Sequence, residues 1–294
     1  MAGLTAWRTA ARVHTLPAGL VPVLVGGGLA LGEGVFRGDA FTWALIGAIA
    51  VQVAANFAND VSDATRGADT PDRLGPPRMV ALGVITPRAM WVATWAAIAI
   101  AGVAGVALTL IAGPAILVIG AASVVAMLGY VGGPLPYGYR SMGEIFVFVF
   151  FGLVATVGSR FVHDGNTPLS AWLIAVPVGL LAAAILVVNN LRDIDTDREA
   201  GKRTLAVTIG AQQTRSLFAT LLYGSLALLA VYAVVGWVPR GTMLAILVVP
   251  QVATPVRMVR RGDQGADLTQ ALKLTARAHL YTGLALAIGA SLAF

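Results

Sequence analysis

The stretch NFANDVSDATRGADT, residues 56–70, decides how this chain is to be read. It follows directly on a long apolar run, and a second acidic stretch, NNLRDIDTDREAGKRT at residues 189–204, follows directly on another. The two align at a single offset, which sets Asn56 on Asn190, Asn59 on Asp193, Asp63 on Asp197 and Gly67 on Gly201. A chain with few charges that twice concentrates acid at the mouth of an apolar segment reads as two related halves presenting carboxylates to a common site.

Composition places those segments in a bilayer. The 294 residues are 57% hydrophobic and only 12% charged, against about 25% charged in soluble domains, and the mean hydropathy is +0.81. Spanning roughly 30 Å of hydrocarbon takes about 17 to 25 apolar residues of helix. Nine stretches have that character: 16–36, 41–58, 91–110, 114–131, 143–162, 171–190, 215–236, 241–257 and 276–294. The expected fold class is therefore all-α, a polytopic membrane protein of about nine transmembrane helices, built as two pseudo-repeated four-helix halves plus a last helix. One domain is expected to cover residues 1–294. The 34 Gly and 14 Pro fit this reading, because small residues let membrane helices approach closely. The first apolar run, although preceded by Arg8 and Arg12, is read as the first helix and not as a cleaved leader, since eight similar runs follow.

The absence of cysteine excludes disulfides, thiolate metal sites and a Cys nucleophile. The net charge of +6 does not point to nucleic acid, because the cations sit in the connections between apolar runs. Alternating those connections between two sides leaves only Arg37, Arg160 and Arg240, of the 20 Lys and Arg, on the side opposite the acidic stretches. By the positive-inside rule the N-terminus and both acidic stretches face the cytoplasm, and the lipid bilayer is the chain's first partner.

Asn59 and Asp63 are four apart and share a helix face; Asp193 and Asp197 have the same spacing. Asn59, Asp60, Asp63, Asp193 and Asp197 together offer hard oxygen ligands of the kind that hold Mg²⁺, whose remaining positions are commonly filled by substrate phosphates and water. Interleaved cations, Arg66, Arg73 and Arg78 in the first stretch and Arg192, Arg198, Lys202 and Arg203 in the second, suit charge-assisted bonds to a diphosphate. One such cluster alone reads equally well as helix caps and solvated loop charges; two in register at a membrane boundary point to function. Ser141-x-x-Glu144 reads as a capping box opening a helix. His14 and His279, lacking a second ligand at helical spacing, read as packing residues, and His163 beside Asp164 as solvated.

NDVSDATRGADTPDRLGPPR (59–78) and NNLRDIDTDREAGKRTLAV (189–207) resemble the two aspartate-rich motifs of the UbiA superfamily of intramembrane aromatic prenyltransferases. The resemblance is closer to the branch that prenylates 1,4-dihydroxy-2-naphthoate in menaquinone synthesis. It extends to RVHTLPAGLVPVLVG (12–26), YVGGPLPYGYRSMGEIFVFVFFG (130–152) and LTARAHLYTGLALAIG (274–289), and so covers nearly the whole chain. The general pattern N-x-x-x-D-x-x-x-D has Gly67 at its last position here, with Asp69 two residues on, a departure that the naphthoate branch resembles.

The resemblance implies Mg²⁺ as cofactor, with Asp60, Asp63, Asp193 and Asp197 as the catalytic carboxylates. It implies transfer of a polyprenyl group from polyprenyl diphosphate to 1,4-dihydroxy-2-naphthoate with loss of CO₂, giving demethylmenaquinol in a prokaryotic plasma membrane. The aromatic acceptor is then expected near Tyr130, Tyr137, Tyr139 and Arg140, with Arg12 as a second candidate for its carboxylate. An acceptor such as 4-hydroxybenzoate is the alternative within this class. A cation transporter is the alternative outside it, disfavoured because the acids lie at one face beside many cations rather than at helix centres.

Overall fold

A computed structural model describes residues 3–67, 75, 77–132, 136–262 and 265–292. Arg73 and Asp69 lie outside the described residues. Among those described there is no strand, only an isolated backbone bridge between Arg140 and Arg203.

The N-terminal helix α1 (Leu4–Ala10) and a 3₁₀ turn (Val13–Thr15) lead into α2 (Pro17–Gly32), whose axis is bent 52° from the segment before it. Then come α3 (Gly38–Thr65), α4 (Pro87–Ala112), α5 (Ala115–Val131) and a 3₁₀ turn (Tyr137–Tyr139). The next rod, Gly143–Asp164, is composite: α6 (Gly143–Val147), a π-helical segment (Phe148–Val154) and α7 (Ala155–Asp164). Helix α8 (Leu169–Arg192) follows, with short α9 (Ile194–Glu199) and α10 (Leu205–Ile209) behind it. Helix α11 (Ala211–Val235), a 3₁₀ stretch (Arg240–Val248) running into α12 (Val249–Arg261), and α13 (Ala266–Ser291) complete the chain.

Six of these rods are long and apolar enough to cross a membrane, and the bent α1–α2 pair, taken as one span, makes a seventh. With α5, which is 17 residues long, and α13, the rods fall on the nine apolar stretches of the sequence. Their ends differ because apolarity stops where charge begins but helical backbone does not. Helix α3 runs on to Thr65 and carries the first acidic motif as its last turns, and α13 begins at Ala266, well before its apolar part.

Local signals explain the ends. Thr86 caps α4, accepting from the Ala89 N–H at 3.2 Å with Pro87 in the first turn, and Gly113 ends that helix at φ +95°. Serine 141 does not form the capping box that its spacing suggests. It sits at φ +58° and its hydroxyl bonds the Arg203 carbonyl at 2.8 Å and Thr208 Oγ1 at 2.7 Å, so it joins two loops and leaves α6 uncapped.

The centre of the bundle is α8, 72% of whose apolar window is buried, whereas only 17% of that of α4 is. Side chains such as Val92, Trp95, Val103 and Leu110 on α4 therefore face outward, as lipid contact requires. Association between helices rests on close packing of small residues: a Cβ added at Gly152 in the π segment would lie 2.5 Å from Cα of Gly179 on α8. At the end away from the acidic motifs, buried Arg160 pairs with Asp164 at 2.6 Å and with Glu33, tying α7 to α2. His163 beside it is buried and not solvated. Its Nδ1 accepts from the Arg37 N–H at 3.0 Å and its ring stacks on Phe36.

Candidate active site

The last turns of α3 and the α8–α9 corner face one cavity. Asp197 lies one helical turn from Asp193, its N–H bonded to the Asp193 carbonyl at 2.8 Å, and Asn59 and Asp63 are one turn apart on α3. All four line one cavity of about 860 Å³. The Lys202 ammonium bridges the motifs, 3.3 Å from Asp63 Oδ1 and 3.8 Å from Asp197 Oδ1. One cation thus already sits between a carboxylate of each motif. Asp63, 3% exposed, also accepts from Arg78 and from the Tyr139 hydroxyl, each at 2.5 Å.

The other two acids are held locally. Asp60 does not face the cavity: its carboxylate accepts from the backbone N–H groups of Met79, at 3.1 Å, and Val80, at 3.0 Å, folding the segment after the first motif back onto α3. Asp193 lines the cavity, but both of its oxygens accept from the buried Arg192 guanidinium, at 2.7 and 2.6 Å. Two carboxylates, Asp63 and Asp197, with the Asn59 amide on the same wall, suit Mg²⁺, which is usually held by one or two carboxylates with phosphate and water completing the octahedron. Among the described residues no three carboxylates or imidazoles form a closed metal cage, and a site completed by substrate needs none.

The cations divide by burial. Arg78, Arg192 and Lys202 line the cavity. Arg66, Arg198 and Arg203 are exposed; Arg66 lies over the Tyr139 ring at 5.9 Å, on the rim, and Arg198 pairs with Asp195 at 3.0 Å. Arg140 is exposed and absent from the lining, its backbone bridged to that of Arg203, and it is Tyr139 that lines the cavity. Arg12, the other candidate for an acceptor carboxylate, does line the cavity, as do Tyr130 and Tyr137.

From this polar end the cavity runs between α3, α4, α5 and the composite rod over Ile98, Gly105, Val124, Phe150 and Val154. Tyr137 stacks on Phe146 with ring centroids 3.8 Å apart and meets Tyr130 edge-on at 5.5 Å. Burial pushes the Tyr137 phenol above its ordinary range, and its hydroxyl donates to the Ala126 carbonyl. The π segment adds a residue to its turn and brings Phe150 and Phe151 to the same wall. Sequence spacing did not bring out Asn56, Tyr139 as a ligand of Asp63, or Arg192 as the clamp on Asp193; the alignment of Asn56 with Asn190 was the available signal for the first.

An apolar groove inside a helical membrane bundle, closed at one end by paired acids and buried cations, defines an intramembrane enzyme for an amphiphile with an anionic head. The chain belongs to the UbiA prenyltransferase family, whose model matches residues 19–277, and it is a multi-pass membrane protein. It is 37% identical to a 1,4-dihydroxy-2-naphthoate octaprenyltransferase of Mycobacterium leprae, over 100% of this chain and 98% of that one. It is 36% identical to the Escherichia coli protein of the same name, over 97% and 94%. Its fold is that of a UbiA homolog from Archaeoglobus fulgidus solved with GPP and Mg²⁺, with a TM-score of 0.68 at 15% identity, covering 96% of this chain and 99% of that one.

Proposed function

We propose that this chain transfers a polyprenyl group from polyprenyl diphosphate to 1,4-dihydroxy-2-naphthoate, with loss of CO₂, in the plasma membrane of a prokaryote. The observation that carries the reading is the Lys202 ammonium between Asp63 and Asp197, at the polar end of an apolar groove. Asp63, Asp197 and Asn59 would hold Mg²⁺, with Asp193 beside them oriented by Arg192. Bound there, Mg²⁺ neutralises charge on the departing diphosphate.

Arg78, Arg192 and Lys202 supply charge-assisted donors at the same end, and Arg66, Arg198 and Arg203 on the rim attract the anionic head group. The tail lies along the groove of α4, α5 and the π segment. Tyr130, Tyr137 and Phe146 offer ring faces to the cation-like allylic carbon and keep water from it. Arg12 pairs with the naphthoate carboxylate. The ring carbon bearing that carboxylate bonds to the allylic carbon as the C–O bond breaks and its electron pair leaves with diphosphate. The bond to the carboxylate then breaks, its pair restores the aromatic ring, and CO₂ departs. The motif loops face the cytoplasm, as the distribution of cations indicates.

Membranes containing the protein, given an allylic diphosphate, Mg²⁺ and either 1,4-dihydroxy-2-naphthoate or 4-hydroxybenzoate, test this by mass spectrometry. A prenylated product 44 mass units lighter than the simple adduct, from the naphthoate alone, is expected. Turnover of 4-hydroxybenzoate with none of the naphthoate would overturn the acceptor.

A further inference from the structure

Arg12 adopts the left-handed conformation, φ +48° and ψ +60°, which costs a non-glycine residue roughly 1–2 kcal/mol and persists only where surroundings enforce it. The enforcing group is Asn56. Its side-chain N–H donates to the Ala11 carbonyl at 2.8 Å and to Thr15 Oγ1 at 3.1 Å, and the Thr15 hydroxyl in turn donates to the Arg12 carbonyl at 2.9 Å. Gln52, one turn earlier on α3, adds a donor to Thr15 Oγ1 at 3.4 Å. Asn56 is 4% exposed, so this amide is committed to one turn of chain on another element.

We infer that Asn56, the first residue of the first acidic motif, is a positioning residue for the acceptor and not a metal ligand: it holds the turn from which Arg12 reaches the cavity. The counterpart in the second motif behaves alike. Asn190 donates to Glu144 at 2.9 Å, fixing the start of α6, which carries the Phe146 ring stacked on Tyr137. The aligned asparagines thus each reach out of their motif to brace a wall of the cavity, while Asp63 and Asp197 turn inward to the cation. The inference rests on the reading of Arg12 as the partner of the acceptor's carboxylate.

Asn56→Asp tests it, because the isosteric carboxylate has no N–H to donate. Loss of a buried pair of donor bonds is expected to raise the KM for the naphthoate roughly tenfold, leaving the KM for the prenyl diphosphate and the half-saturating Mg²⁺ concentration unchanged. Thr15→Val, which breaks the same relay without touching the motif, should shift the naphthoate KM in the same direction and reports if Asn56→Asp does not fold. Arg12→Gln should raise that KM as well, and adding Asn56→Asp to it should add little. A shift in Mg²⁺ half-saturation with an unchanged naphthoate KM would make Asn56 a metal ligand and overturn the inference. Arg12→Gln raising the naphthoate KM while Asn56→Asp and Thr15→Val do not would overturn the positioning alone. Arg12→Gln without effect on it would remove the acceptor reading and the inference together.

Discussion

Asp60 and Asp63 are three residues apart in one motif, and the structure gives them different work, so replacing each by Asn should split activity from stability. Asp63 is 3% exposed and accepts from Arg78 and Tyr139 at 2.5 Å and from Lys202 at 3.3 Å. Asp63→Asn removes a negative charge that faces all three and, on the proposed function, a ligand of the cation. Loss of one preorganised electrostatic group in a water-excluded site typically lowers kcat by about 10²–10³. The buried ion pair of Arg78 with Asp63 is also lost, a change that costs up to about 3–5 kcal/mol when a pair is fully buried.

Asp60→Asn keeps one carbonyl oxygen for the N–H groups of Met79 and Val80 and leaves the other facing an amide. That costs about 1–3 kcal/mol and should lower the melting temperature in detergent by a few degrees, while turnover per folded molecule stays within about threefold. The assay is prenyl transfer in vesicles across a Mg²⁺ titration, beside thermal unfolding of the same preparations. If Asp60→Asn loses as much turnover as Asp63→Asn and shifts half-saturation by Mg²⁺, Asp60 acts on the metal, and the division of labour drawn from the hydrogen bonds is wrong.

Two further outcomes follow from the fold. The chain has no cysteine, so a single Cys at Thr65 should be shielded from an impermeant reagent outside the cell and one at Asn166 should react; the reverse pattern would invert the orientation. Gly152→Leu should lower the melting temperature by about 10 °C or abolish expression, because the added side chain meets Gly179 backbone where the π segment crosses α8; a variant as stable as the parent would mean that the two helices do not pack this closely.

Much of the fold was legible because a bilayer imposes one length and one polarity on every crossing element. Among the described residues nine rods fall on the nine apolar stretches and none is a strand, as the all-α reading expects. The four-residue spacings Asn59–Asp63 and Asp193–Asp197 put both pairs on cavity walls, since the helical period survives at the membrane boundary. What spacing could not show is which acid a distant segment would claim. Asp60 is taken by backbone nearly twenty residues on, and Asp193 by a neighbouring Arg192 that the same spacing would send to phosphate. Likewise Tyr139 and Arg140 are adjacent, and it is the Tyr139 hydroxyl that reaches Asp63 on a helix far away in sequence. The π segment has no period of its own in the sequence, so the turning of Phe150 and Phe151 to one wall emerges only in the folded chain.

The claim on which the rest depends is that one cation joins Asp63 and Asp197. Calorimetric binding of a non-reactive prenyl thiolodiphosphate, with and without Mg²⁺, to the parent protein, Asp63→Asn, Asp197→Asn and the double variant measures it directly. A shared site predicts that each single change removes most of the Mg²⁺-dependent affinity and that the double variant binds about as weakly as the worse single one. Losses that add in free energy would place the two aspartates in separate sites and contradict the account.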